Sequence, residues 1–324
     1  MFSKFNLIIF FSGLFLFAGG FFLGHIKIPD SNSDIIETRN QEDYKYINPL
    51  LECESTDFSK TAALEPLRKQ LTSVVETQKK LGNISYASIY LRDLNGGPWL
   101  GINEKDNFSP ASLVKVPLMM SYYKAAEKKP GLLNETITVE STYDSSQSIL
   151  PEITLAPKQT YTIDELINRM IVYSDNQAYE LLQNHIDNKL IVKTYTDLGI
   201  DLSDAYDNPN GNILSVKYYA SFFRILFNAS YLNKDMSEKA LRLLSEVKYN
   251  DGLVKGINNP MISISHKFGE RTYEADGEKQ LHDCGIVYLP NKPHLICIMT
   301  KGFDFSKLRT TIVEITKTIY KYLL

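Results

Sequence analysis

Residues 261–299 read MISISHKFGERTYEADGEKQLHDCGIVYLPNKPHLICIM, and this stretch decides the fold. MISISHKF alternates apolar and polar residues, the period of a half-buried strand, while GIVYL and HLICIM flank the turn Pro290-Asn291-Lys292-Pro293. Downstream, Phe305–Leu323 has the pattern of an amphipathic helix that closes the chain. Upstream, a helix is expected from about Thr61 to Leu81, with Leu64, Leu67, Leu71, Val74 and Val75 on one stripe. A hairpin follows it: SYASIYLRDL, a turn at Asn95-Gly96-Gly97, then PWLGIN. Strands from both ends of the chain can therefore pair in one antiparallel sheet, with the terminal helices on one face.

The segment between the two strand groups is mostly helical. Ser109-Pro110 predicts a helix start, with serine as cap and proline at the first helical position, running through SLVKVPLMMSYYKAAEK. Pro117 then falls seven residues in, where it should cost a hydrogen bond or bend the axis. Thr162-x-x-Glu165 is a capping box for a helix toward Tyr173, and further helices are expected over Gln177–Ile186 and Val216–Phe227. The expected fold class is α/β and two-lobed: an antiparallel sheet flanked by terminal helices, plus an all-helical lobe, with a site in the cleft between them.

The chain has 324 residues, 44% hydrophobic and 23% charged, with a net charge of −3. That is globular composition without the basic excess of a nucleic-acid binder. Leu7–Ile26 is apolar except for Ser12 and His25, about 20 residues or roughly 30 Å as a helix. Residues 1–26 read as a transmembrane anchor, or as a signal segment cleaved after Ala18-Gly19-Gly20. Lys4 before the run and Asp30, Asp34 and Glu37 after it favour a body outside the cytoplasm, held at the cell membrane or secreted. Residues 27–59 read as a polar linker and 60–324 as the folded domain. The five histidines and three cysteines show no metal-ligand spacing. Cys284 and Cys297 fall on neighbouring strands and read first as small core residues, with a cross-strand disulfide as the alternative.

S-x-x-K occurs three times, at Ser112–Lys115, Ser121–Lys124 and Ser245–Lys248, so by itself it decides nothing. Ser112 differs in context. It falls in the first turn of its helix, where free N–H groups favour negative charge, and Lys115 projects from the same face. A lysine in a desolvated pocket loses affinity for its proton and can act as a base toward the serine hydroxyl. Ser174-Asp175-Asn176 follows at a junction between helices, and Lys267-Phe268-Gly269 at the end of a strand.

This ordered set, S-x-x-K, S-D-N, then K-[T/S]-G, resembles the signature of class A β-lactamases and penicillin-binding proteins. The resemblance covers roughly residues 60–324 and includes YTIDELINRMIVYSDNQAYELL and GIVYLPNKPHLICIMTKG. It implies that Ser112 attacks a lactam or D-alanyl peptide carbonyl while Lys115 takes its proton. Ser174 would shuttle a proton to the leaving nitrogen beside Lys267, and Asn176 would bind the acylamide side chain. Gly269 and Glu270 would border the substrate, with the N–H groups of Ser112 and Glu270 as the oxyanion hole. The implied partner is a β-lactam or peptidoglycan-like small substrate, and the mechanism requires no cofactor.

Three departures separate acylation from deacylation. No glutamate occurs from Leu190 to Ala220, where the family places the one that activates the deacylating water, and Asp204 or Asp207 is the available substitute. Phe268 lacks the hydroxyl of the family's Thr or Ser. Cys284 stands where some members place a carboxylate-binding arginine, and nearby Arg271 reads as solvated. The expectation is a β-lactamase-like serine hydrolase with slow deacylation. A penicillin-binding or sensor domain, or a binding protein that reuses the fold, is the alternative.

Overall fold

The computed structural model describes residues 44–49, 62–95, 97–142, 149–150, 155–199 and 211–324. The apolar run 7–26, most of the 27–59 segment, and Asp204 and Asp207 lie outside the described residues. Among the described residues, no helix is long and apolar enough to cross a membrane.

A five-stranded antiparallel sheet forms from both ends of the chain. Its strands are β1 (Tyr86–Asp93), β2 (Trp99–Ile102), β7 (Ile264–Thr272), β8 (Lys279–Leu289) and β9 (Lys292–Gly302), in the order β2-β1-β9-β8-β7. The β8–β9 hairpin turns through Pro290-Asn291, with Asn291 at φ 58°, a left-handed conformation that asparagine tolerates. Alternation sorts the side chains to two faces. Ala87, Ile89 and Leu91 of β1, with Ile296 and Ile298 of β9, pack against the terminal helices α1 (Glu65–Lys80) and α9 (Phe305–Leu323). Leu308, Ile312, Ile315 and Ile319 give α9 its buried stripe at helical spacing. Each such side chain contributes about 1.5–3 kcal/mol when buried. On the other face, Tyr90, Ile286, Leu295 and Met299 join the core of the helical lobe.

That lobe is built from α2 (Lys115–Ala126), α3 (Ile163–Val172), α4 (Asn176–His185), α5 (Asn188–Asp197), α6 (Val216–Phe227) and α7 (Lys234–Leu244). Short pairs β3 (Asn107–Phe108) with β6 (Leu214–Ser215), and β4 (Thr136–Thr138) with β5 (Thr160–Thr162), brace it. A five-residue helix, α8 (Leu253–Ile257), packs on α9. The Thr162 capping box forms as expected, with Glu165 N–H donating to Thr162 Oγ1 and Thr162 N–H to the Glu165 carboxylate.

Four expectations change. The Ser109-Pro110 start gives way to a 3₁₀ turn over Ala111–Val114, and the α-helix begins only at Lys115. Pro117 therefore lies in the first α-helical turn, where its missing N–H has no intrahelical partner to lose. Cys284 and Cys297 are fully buried but directly opposed across β8–β9, and they form a disulfide rather than remaining two free core thiols. The segment read as linker is docked at residues 44–49. The Glu238 carboxylate accepts the N–H groups of Lys45, Tyr46 and Ile47, and Asn48 N–H donates to Phe227 O.

Candidate active site

The turn that carries Ser112 is fixed from behind before any side chain enters the cleft. Ser109, expected as a helix cap, is held at every polar atom: its N–H donates to Gln280 Oε1 (3.0 Å), its Oγ accepts from Arg271 Nη1 (3.1 Å), and its carbonyl meets His282 Nε2 at 2.9 Å. Burial lowers His282 to about 4, so its imidazole is neutral and Nε2 carries the proton given to Ser109 O. Arg271, read from sequence as solvated, is thus a clamp on this turn. Ala111 then takes φ 47°, which is strained for a residue with a Cβ. Gly269 of β7 explains how the strand approaches so closely. A Cβ there would lie 3.0 Å from Leu113 Cγ and 3.2 Å from Pro110 O.

In a 3₁₀ turn, residues i and i+3 eclipse, which sets Lys115 directly over Ser112. Lys115 Nζ lies 3.1 Å from Ser112 Oγ, 3.1 Å from Ser174 Oγ, 2.6 Å from Asn176 Oδ1 and 2.5 Å from Ser174 O. Asn176 Oδ1 and Ser174 O only accept, so they take two Lys115 protons in either charge state, and in the neutral form the remaining lone pair is open to a serine hydroxyl. Burial lowers Lys115 from the usual lysine range to about 7, opposed by the Asp175 and Glu270 carboxylates.

Ser174 bridges to the opposite wall. It lies between α3 and α4 with φ 59°, and its left-handed backbone is held by the bond from Lys115 to its carbonyl. Asp175 beside it caps α4, accepting the Ala178 N–H at 3.0 Å, so the middle residue of Ser174-Asp175-Asn176 is structural. Lys267 Nζ donates to Ser174 Oγ (3.0 Å) and to Phe268 O (2.9 Å). Complete burial, with Lys115 nearby, drives Lys267 well below the ordinary lysine range. Phe268 belongs to the core: its ring stacks on Tyr249 at 4.4 Å, so the site gains no hydroxyl at this position. Glu270 Oε1 accepts the Ile149 N–H at 3.1 Å.

The fold brings Ser112, Lys115, Ser174, Asn176 and Lys267 into one hydrogen-bonded chain, and Gly269 and Glu270 continue along β7. The other S-x-x-K pairs are engaged elsewhere. Ser121 Oγ donates to Pro117 O and Lys124 pairs with Glu127, while Ser245 Oγ donates to Arg242 O. Gln280, His282 and Arg271 were not legible as supports. Only the β7–β8 register, with Gly269 opposite His282, sets them behind the turn. Tyr179 was missed as well; its ring centroid lies 5.9 Å from Lys115 Nζ, and it lines a cavity of about 230 Å³ behind Leu113, Val114 and Pro117. A larger cavity, about 630 Å³, lies away from this chain of residues, beside His266 and Asn258.

A two-lobed fold with a serine under a desolvated lysine is that of a β-lactamase-like serine hydrolase. Residues 66–323 match the model of the Beta-lactamase enzyme family, and the chain belongs to that family. Solved structures agree on the fold. PBP-A superposes with a TM-score of 0.66 at 21% identity, covering 80% of this chain and 96% of that one. A class A β-lactamase from Mycobacterium abscessus superposes with a TM-score of 0.66 at 19% identity, over 79% of this chain and 99% of that one. A β-lactamase from Chitinophaga pinensis gives 0.66 at 19% identity, over 80% and 100%. No curated protein matches the sequence.

Proposed function

We propose that this chain is a serine acyl-transfer enzyme that opens β-lactam or D-Ala-type amide bonds through an acyl-enzyme on Ser112, and that deacylates slowly. The placement of Lys115 Nζ 3.1 Å from Ser112 Oγ, in a buried setting that lowers its affinity for a proton, carries the proposal. The Nζ lone pair takes the Ser112 proton as Oγ attacks the carbonyl carbon, and the carbonyl electron pair moves to oxygen as an oxyanion facing the N–H groups of Ser112 and Glu270. Collapse re-forms the carbonyl and breaks the C–N bond. Ser174 gives its proton to the departing nitrogen and regains one from the Lys115–Lys267 pair. Asn176 anchors Lys115 and borders the acyl side chain.

The slow-deacylation reading rests on the sequence, which has no glutamate from Leu190 to Ala220, and Asp204 and Asp207 lie outside the described residues. Among the described residues, the carboxylates that act on Lys115 are Asp175, which caps a helix, and Glu270, which accepts the Ile149 N–H. PBP-A is a neighbour in fold, and a point mutant of it was solved as an acyl-enzyme complex with penicillin G. We place the enzyme outside the cytoplasm, anchored or secreted through residues 1–26; the Cys284–Cys297 pairing supports this reading.

The test follows nitrocefin colour and intact mass together, with Ser112→Ala as control. A lasting adduct on Ser112 supports the proposal and the penicillin-binding or sensor use of the fold. Fast colour without an adduct means an efficient β-lactamase with another deacylating group, and no Ser112-dependent signal sinks the proposal.

A further inference from the structure

A cavity of about 630 Å³ is lined by α8, the chain leading into β7 and Tyr46, apart from the hydrogen-bonded residues that join Ser112 to Lys267. Small-molecule sites occupy roughly 300–1,000 Å³, so its size suits a ligand. His266 forms part of its wall and is only 1% exposed. One ring nitrogen, Nδ1, lies 2.8 Å from Asp283 Oδ1, and Asp283 Oδ2 accepts the Leu253 N–H at 2.8 Å. Among the described residues no group meets the second ring nitrogen, Nε2. A polar atom of a buried ring that no protein group satisfies leaves a hydrogen bond for whatever fills the cavity. Nε2 accepts when the proton of a neutral ring sits on Nδ1, and it donates in the other tautomer or in the charged ring. A hydroxyl answers each of these states, because it both donates and accepts.

The rest of the lining has the same two-way character. Asn250 and Asn258 present exposed amides, and Ser263 a half-buried hydroxyl. Asp251 and Lys255, which also line the cavity, lie 3.1 Å apart and answer each other, and Arg309 of α9 meets the same carboxylate at 3.4 Å. Val254 and Ile262 supply apolar surface. Amides, a hydroxyl and an apolar strip together match a sugar ring, which carries hydroxyls around its edge and C–H groups on its faces. We propose that this cavity is a second ligand site, for a neutral saccharide. One sugar hydroxyl bonds His266 Nε2, others meet the amides of Asn250 and Asn258, and a C–H face rests on Val254 and Ile262. The site stands whether or not Ser112 is the nucleophile.

Glucose, glucosamine and glucuronate share one ring and differ in charge, and cellobiose adds a second neutral ring. Each is titrated into the full chain and followed by saturation-transfer NMR, which reads weak binding, with the two charged sugars in their ionised forms. Glucose or cellobiose should bind saturably, and more tightly than either charged sugar. His266→Asn, which keeps a donor toward Asp283 and removes Nε2, should abolish the signal. That ring is buried, so a second variant guards against misfolding: Asn250→Ala combined with Asn258→Gly, both at exposed positions, with glycine keeping the left-handed backbone at φ 47°. It should hold its melting temperature and weaken binding on the order of tenfold. No binding of glucose or cellobiose up to ~50 mM, tighter binding of a charged sugar, or a rim variant that binds like the parent would each overturn the inference.

Discussion

The pH dependence of acylation tests the base directly. Lys115 is held near 7 by burial, and the species that can take the Ser112 proton is its neutral form. With that value, about one-tenth of Lys115 is neutral at pH 6 and about nine-tenths at pH 8. The second-order rate of adduct formation should therefore rise roughly tenfold between pH 6 and 8, then level off. An ordinary lysine near 10.4 would be less than ~1% neutral at pH 8, and the rate would keep climbing about tenfold per unit through pH 9. The sign is fixed by which form acts: a base gains activity as pH rises through its own pKa. Asp175→Asn should move the inflection to lower pH, because the Asp175 carboxylate raises Lys115 while asparagine still caps α4. The assay is stopped-flow acylation with a β-lactam that does not titrate between pH 5.5 and 9.5. A rate that falls with pH, or one still rising steeply above pH 8, refutes Lys115 as the neutral base.

Three further perturbations address the scaffold around the site. Gly269→Ala sets a Cβ 3.0 Å from Leu113 Cγ and should displace the turn that carries Ser112 by a few tenths of an ångström. Acylation should drop on the order of tenfold or more, with little change in melting temperature; an unchanged rate would show that the turn yields freely. Glu238→Ala leaves the N–H groups of Lys45, Tyr46 and Ile47 without their acceptor and should cost roughly 1–3 kcal/mol, read as faster tryptic cleavage at Lys45 and a lower melting temperature. Cys297→Ala opens a loop with a sequence separation of 13 and should cost about 3 kcal/mol, with reductant producing a similar loss in the parent and none in the variant.

Much of this architecture was readable because it rests on periodicity. The α9 stripe, the β8–β9 hairpin and the Thr162 box each depend on residues close in sequence, and each formed within a residue or two of expectation. What was not readable depends on register. Ser109 looked like a cap because serine before proline satisfies helix N-termini, yet its three polar atoms are claimed by Gln280, Arg271 and His282, more than 160 residues away. Once β7 pairs with β8 in this register, those partners outcompete the local cap. Moving the helix start to Lys115 also turns Pro117 from a cost into a tolerated first-turn residue. Cys284 and Cys297 show the same limit: composition marks both as small and buried, and only the pairing of β8 with β9 sets them opposite one another.

The two lysines account for why Ser174 sits in a conformation that costs it about 1–2 kcal/mol. With φ at 59°, Ser174 turns its carbonyl to Lys115 while its hydroxyl stays between Lys115 and Lys267, 3.1 and 3.0 Å away. A relaxed backbone would give up one of these contacts. Losing the carbonyl would free a Lys115 proton that then competes for the Ser112 oxygen, and losing the hydroxyl would break the path from the nucleophile to the leaving nitrogen. The strain and the neutral amine are therefore parts of one arrangement. The carbonyl and Asn176 consume the protons of Lys115, which leaves its lone pair for serine. In the proposed reaction this arrangement serves formation of the acyl-enzyme: Lys115 takes the Ser112 proton, and Ser174 delivers one to the leaving nitrogen.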